Sequence, residues 1–294
     1  MHKIKVPAST ANMGSGFDSI GMALSLYNEI EFETIDNGLI IETDEGIPTD
    51  ETNLVYISLK NTLDKIGHKI PGLRIRQTNR IPQTRGLGSS SACVVSGIIA
   101  ANIIAGGILS TEKMISIATE IEGHPDNVLP AFIGGMAAGA LEDGQVRYIG
   151  IRPPERLRCC IMVPDFELST ALAREVLPAT VELKDAIFNI SRAALMVGAV
   201  AQGNLELMRV AMQDKLHQQY RKKLIPDFDY VVQSAQECGS LGCCLSGAGP
   251  TIIAFLDKDY YQFKQQMQNK TQGLTNNWRI ELLDICTTGA TWDI

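Results

Sequence analysis

The segment with the clearest chemical meaning is Pro82-Gln83-Thr84-Arg85-Gly86-Leu87-Gly88-Ser89-Ser90-Ser91-Ala92. Its two glycines let backbone N–H groups come close to a ligand. The apolar run that follows reads as a helix, whose N-terminus adds unpaired donors and partial positive charge. Three serines supply hydroxyl donors or a metal ligand, and Arg85 supplies a full charge. The combination suits a polyphosphate. It is not a Walker A loop, since no Gly-Lys-Ser/Thr follows, and it is not a GxGxxG fingerprint. Two more segments are unusual. Pro7-Ala8-Ser9-Thr10-Ala11-Asn12-Met13-Gly14-Ser15-Gly16-Phe17-Asp18 is small, polar and glycine-bearing, and is expected to lie outside the core. Leu245-Ser246-Gly247-Ala248-Gly249-Pro250-Thr251 reads as a tight glycine turn between apolar strands.

The 294 residues carry 26 Lys and Arg against 33 Asp and Glu, a net charge of −7, which argues against a general nucleic-acid binder. The charge is unevenly spread. Lys65 to Thr111 contains Lys65, Lys69, Arg74, Arg76, Arg80 and Arg85 and no carboxylate, so it carries +6 and leaves −13 elsewhere. Such a basic island predicts one local anionic ligand. The seven cysteines show no CxxC spacing, so the sequence supports neither a disulfide framework nor a zinc site. Small buried thiols in a reducing cytoplasm fit better. The uncharged stretch from Gly86 to Thr111 is long enough to span a bilayer. Its glycine-rich start and Asn102 favour a buried helix instead. The N-terminus has no apolar signal core, and no membrane role is expected.

The elements must position these segments. Lys3–Val6 reads as a first strand. Asn28–Ile35 alternates with a period of two, and Asp36-Asn37-Gly38 then predicts a hairpin to Leu39–Thr43. Asn53–Ile66 reads as an amphipathic helix and Leu73–Thr78 as a strand with Arg74 and Arg76 on its wet face. Ser89–Ile104 and Thr111–Glu122 read as helices, the second capped by Ser110 or Thr111. Phe132–Leu141 reads as a strand that turns at Gly144 into Val146–Ile149. Pro153 and Pro154 mark the boundary between a first domain, 1–153, and a second, 154–294. Beyond it, strands are expected at Cys159–Val163, Gly242–Ser246, Thr251–Leu256 and Trp278–Ile285. Helices are expected around Thr170–Leu177, Ala186–Gln202, Leu205–Met212, Phe228–Cys238 and Tyr260–Gln268. The mixture favours an α+β fold.

The three segments, in this order and at this spacing, resemble the three motifs of the GHMP kinases, and the resemblance covers nearly the whole chain. PASTANMGSGFDSIG is similar to the PATSANLGPGFDxxG of the branch that phosphorylates L-homoserine, with Met13 and Ser15 as mild departures. Glu122-Gly123-His124-Pro125-Asp126-Asn127-Val128-Leu129-Pro130-Ala131 and HQQYRKKLIPDF at 217–228 match the same branch. The resemblance implies a two-domain α+β fold, with an N-terminal ribosomal-protein-like βαβ domain and a C-terminal ferredoxin-like αβ sandwich. It also implies ATP and Mg²⁺, transfer of phosphate to the homoserine hydroxyl, and a place in threonine biosynthesis. It leaves a homodimer open.

The same match implies residue roles. Residues Pro82–Ala92 would bind the nucleotide, with the backbone of Gly86–Ser91 around the phosphates. Ser90 would lie near Mg²⁺, and a carboxylate on the helix before HPDN would complete the metal site. Glu120 and Glu122 both qualify, and Glu120 is preferred. A zwitterionic substrate needs an anion clamp and an amine acceptor. Arg174 and Arg221 match the carboxylate-binding arginines. Asp18 would accept from the ammonium, Asn12 and Asn127 would hydrogen-bond the substrate, and Thr170 would line the pocket. Asn12, Asn127 and Arg174 are the candidate catalytic residues. Asn127 stands where other members carry a base, so the expected mechanism is direct in-line attack. His124 reads as part of a positioned loop. Another small alcohol such as mevalonate, or a non-catalytic nucleotide-binding regulator on the same fold, are the alternatives.

Overall fold

The computed structural model describes residues 1–257 and 261–293. Its first layer starts with β1 (His2–Ala11), β2 (Ile20–Thr34), β3 (Gly38–Glu42), α1 (Leu54–Lys65) and β4 (Gly72–Asn79). It continues through α2 (Ser89–Ile104), α3 (Thr111–Glu122), α4 (Val128–Ile133), β5 (Met136–Glu142) and β6 (Gln145–Ile151). The second half contains β7 (Leu157–Pro164), α5 (Thr170–Glu175), α6 (Leu183–Gln202), α7 (Met208–Ala211), α8 (Gln218–Arg221) and α9 (Phe228–Glu237). It ends with β8 (Gly242–Leu245), β9 (Ile252–Asp257), α10 (Phe263–Thr271), β10 (Trp278–Asp284) and β11 (Thr291–Trp292). Tyr260, where the last helix was expected to begin, lies outside the described residues.

The helices follow local signals. Asn53 accepts hydrogen bonds from Val55 N and Tyr56 N and so caps α1. Ser110 caps α3 through Lys113 N, and Gly123 ends it at φ +86°. α2 is apolar all round and correspondingly buried, with Val94, Val95, Ile98, Ala100 and Ala101 fully covered. Among the described residues no helix is long and apolar enough to cross a membrane.

The expected hairpin is corrected. β4 lies between β2 and β3, antiparallel to β2 and parallel to β3. The charges give a reason. Arg74 pairs with Glu33 at 2.7 Å, and Arg76 lies between Glu42 at 2.9 Å and Glu31 at 3.6 Å. A direct β2–β3 hairpin would bring three of these carboxylates together on adjacent strands without the arginines between them. Phe32 and Ile75, paired in register, face the core.

Two other strand expectations change. β1 runs to Ala11 through an irregularity at Pro7/Ala8, and Ala8 to Met13 are buried rather than outside the core. Their polar groups are satisfied by distant parts of the chain, described below. Phe132 and Ile133, expected to start a strand, instead end α4. Pro130 falls in the first turn, where a missing N–H is tolerated. β5 and β6 then form the expected hairpin.

The second sheet is antiparallel in the order β10-β7-β9-β8. Read along the chain, strand, helices, two strands, helix and strand make it ferredoxin-like. One core joins the two layers, since Ile161, Val163, Met196 and Phe255 pack in the same cluster as the α2 and β1 side chains. β11 returns to the first sheet and pairs with β1.

Candidate active site

A cleft of about 300 Å³ opens where the three unusual segments meet. Gly86 and Gly88 have φ +73° and +69°, and Gly88 stands as N-cap of α2 with no side-chain cap. A Cβ at Gly86 would fall on the Ser246 carbonyl oxygen and one at Gly88 on Ser9 Oγ, so both positions require glycine. The first helical bond of α2 runs from Ala92 N to Gly88 O. The N–H groups of Ser89, Ser90 and Ser91 precede it, and these residues line the cleft. Pro82, Thr84, Arg85, Gly86, Leu87 and Gly88 line it too. Gln83 and Ala92 do not, and Ala92 is fully buried.

The loop is braced by the other two motifs. Ser246 Oγ donates to Gly86 O at 2.6 Å and lies 2.9 Å from Thr10 Oγ1. Asn12 Nδ2 donates to Gly247 O at 2.8 Å, and Gly247 N donates to Ala11 O. Thr10 of β1 and Asn12 just beyond it therefore clamp the glycine turn of the second half.

The structure corrects the metal-ligand expectation for Glu120. That side chain is 65% exposed, points away from the cleft and bonds Lys65 at 2.8 Å. Glu122 lines the cleft and accepts from Ser90 Oγ at 2.7 Å and from Ser91 Oγ. A carboxylate between two hydroxyls at a helix N-terminus is the hard-oxygen donor set that Mg²⁺ takes beside phosphate. Asp18, His124 and Asp126 also bring ligand atoms within 4.8 Å of one another. Their carboxylates are already matched, Asp18 by Arg174 and Asp126 by His124.

The same cleft holds the predicted substrate residues. Asn12, Asp18, Asn127, Thr170, Arg174 and Arg221 all line it. Asn12 has φ +66° and accepts from Asp18 N at 2.9 Å. Arg174 and Asp18 form a two-pronged pair at 2.9 and 3.0 Å, which raises the arginine pKa. Arg221 is only 2% exposed, and among the described residues no carboxylate pairs with it. Burial, then the nearby Arg174 charge, lowers its pKa to about 10. An anion there would relieve both effects. Asn127, at the N-cap of α4, accepts from the buried Ser9 Oγ at 2.8 Å, which leaves its NH₂ group for a ligand. His124 Nδ1 bonds Asp126 at 2.6 Å, and that bond raises the imidazole pKa.

Sequence reasoning missed Ser9 and Ser246, although both lie inside motifs it singled out. It also overrated the basic island. Arg74 and Arg76 are spent on neighbouring strands and Lys65 on Glu120, so of the six cations only Arg85 lines the cleft. Arg85 itself reaches Glu167 at 3.5 Å and the carbonyl of Pro164, tying the loop to the second half. The seven cysteines are free thiols, and burial pushes those of Cys93, Cys160 and Cys244 up to about 12.

A cleft with a glycine loop at a helix N-terminus suits a phosphate-transferring enzyme, and the family comparisons give that class. The family model for the GHMP kinases N terminal domain matches residues 53–135, and that for the GHMP kinases C terminal region matches 196–271. The chain belongs to the GHMP kinase family and is an ATP-dependent small-molecule kinase. Within the family it is similar to a homoserine kinase of Caldicellulosiruptor bescii, 51% identical over 99% of this chain and 96% of the relative. It is 45% identical to a homoserine kinase of Clostridium botulinum over 97% of this chain and 96% of that one. The crystal structure of homoserine kinase from Cytophaga hutchinsonii superposes with a TM-score of 0.88 at 28% identity, covering 99% and 96% of the two chains.

Proposed function

We propose that the protein transfers the γ-phosphoryl group of ATP to the hydroxyl of L-homoserine, giving O-phospho-L-homoserine and ADP. The observation that carries this reading is Arg221, a buried guanidinium that lines the cleft without a carboxylate partner among the described residues. It would receive the substrate carboxylate together with Arg174. Asp18, Asp126 and His124 offer acceptors for the ammonium, and Asn127 and Asn12 would orient the hydroxyl. Ser89–Ser91 and Gly86 would hold the phosphates. Ser90 and Glu122 would hold Mg²⁺, which when bound neutralises charge on the phosphate oxygens.

The hydroxyl oxygen attacks the γ-phosphorus, the bond to the β,γ-bridging oxygen breaks, and the proton passes to phosphate or water. No strong base is needed, because phosphoryl transfer relies on positioning and charge stabilisation. A division at residues 153/154 would put the cleft between two halves, and the pairing of β11 with β1 supports counting that last strand with the first. Threonine biosynthesis and a reducing cytoplasm are the setting that fits this product and these thiols. The test is ADP release with homoserine, with mevalonate and with no acceptor, each with and without Mg²⁺. Homoserine-dependent, Mg²⁺-dependent release is expected. Release with mevalonate and none with homoserine would overturn the reading.

A further inference from the structure

Arg221 is held by a network that the reaction scheme does not use. Its Nε donates to Ala173 O at 3.0 Å, and its Nη1 donates to Gly247 O at 3.2 Å. Nη1 also lies 3.4 Å from Nδ1 of His217, one helical turn earlier. Nη2 makes no hydrogen bond to a described residue, so its two N–H groups remain for a ligand. The His217 ring is fully buried and stacks on Phe17, with centroids 5.1 Å apart. Its Nε2 lies 2.8 Å from the Gly14 carbonyl. A carbonyl accepts only, so Nε2 carries the proton. Nδ1 of the neutral ring is then a lone pair facing the guanidinium.

Everything around the ring holds that arrangement. Asp214 is fully buried and accepts from Leu216 N, His217 N, Gln218 N and Asn189 Nδ2. Phe17 lies under both guanidinium groups, 5.2 Å from Arg221 and 5.8 Å from Arg174. Gly14 and Phe17 belong to the N-terminal motif, while His217 and Arg221 belong to the second half. The ring therefore links the two halves beside Arg221.

We propose that His217 is the positioning residue of the carboxylate site. Its neutral Nδ1 fixes the plane of the Arg221 guanidinium, so that Nη2 faces the carboxylate of the acceptor. This rests on the reading of Arg221 as the carboxylate receptor. The enzyme would owe its preference for an amino-acid alcohol over a plain amino alcohol partly to a residue that does not touch substrate.

Two substitutions separate the functions of the ring. His217→Asn keeps an acceptor near the Nδ1 position, and His217→Gln keeps a donor near Nε2 but removes the acceptor facing Arg221. The readout is kcat/KM for homoserine divided by that for its decarboxylated analogue, aminopropanol, with KM for ATP and the melting temperature alongside. We expect the ratio to fall about tenfold in the His217→Gln protein, as for loss of a hydrogen bond to a charged group, through KM for homoserine. The His217→Asn protein should keep the ratio to within about threefold, less than half the free energy of that loss. KM for ATP should not move in either. Equal losses on both acceptors, an unchanged ratio in the His217→Gln protein, or a greater loss in His217→Asn would overturn the proposal. If the unmodified enzyme itself shows no preference for homoserine over aminopropanol, the carboxylate reading of Arg221 fails first. If one variant does not fold, the ratio in the other still decides.

Discussion

Glu120 and Glu122 are two positions apart on α3, which turns their side chains roughly 200° from each other around the helix. Either could have been the metal ligand on residue type alone. What separates them is Lys65 on α1, which takes Glu120 to the outside, and the serines of α2, which take Glu122. Glu122→Gln is expected to lower kcat/KM by more than the roughly tenfold to hundredfold seen for outer-shell partners of metals. Glu120→Gln removes only an exposed ion pair, worth at most about 1 kcal/mol of stability, and should leave the kinetics unchanged. Steady-state rates across a Mg²⁺ titration distinguish the two. His124 offers a second residue-level test. The Asp126 bond raises its pKa above the ordinary 6.5, so folding favours the protonated ring. That stabilisation is fully present below about pH 6.5 and is lost as the pH rises through the folded-state pKa. Melting temperature should fall across that window, and Asp126→Asn should flatten the fall.

At the scale of elements, what was legible had local causes. The bounds of α1 and α3 followed from Asn53, Ser110 and Gly123, whose effects act within a turn of the helix end. The position of β4 had no such local signal. It depends on which strand takes the arginine face, a choice made across the sheet, and the turn at Asp36–Gly38 suits either outcome. The site divided the same way. The glycine loop and the helix it opens could be read because the glycines, serines and apolar run are contiguous. Ser9 could not, because its partner Asn127 is 118 positions away. Gly97 shows how an element contact can reverse a propensity rule. Replacing a mid-helix glycine by alanine ordinarily stabilises a helix by about 1 kcal/mol. Here the new Cβ would lie 2.8 Å from Ser58 Cβ and 2.9 Å from Leu59 N and would also meet the Val55 carbonyl, all on α1. The backbone of α1 cannot yield cheaply, so Gly97→Ala should lower the melting temperature. A rise would show that α1 and α2 have slack at their crossing.

Taken whole, the chain closes on itself, and its two ends share one sheet. The net charge of −7 hid this, and so did the basic island, whose cations mostly neutralise neighbouring strands. The tail beyond β10 leaves the second sheet and returns to the first. Gly135 N donates to Cys286 O at 2.7 Å, Ala290 N to Ala131 O at 2.8 Å, Cys286 N to Ala23 O at 3.0 Å and Asp293 N to Lys3 O at 3.1 Å. Ala131 is on α4, whose N-cap is Asn127, and a Cβ at Gly289 would strike the Phe132 carbonyl. The C-terminal segment is thus packed directly behind the helix that aims the candidate catalytic amide. Ending the chain after Asp284 removes these four bonds and the β1–β11 pairing. At about 1 kcal/mol for each of the four, and about 2–4 °C per kcal/mol for a protein near this size, the melting temperature should fall by at least about 10 °C. Below that new midpoint, turnover should fall more than ATP affinity does, because the glycine loop before α2 is held by Ser246 and by Ser9 N, which donates to Leu87 O, rather than by the tail. Equal losses in both would mean that the tail supports the whole cleft. An unchanged kcat would mean that α4 keeps its place without it.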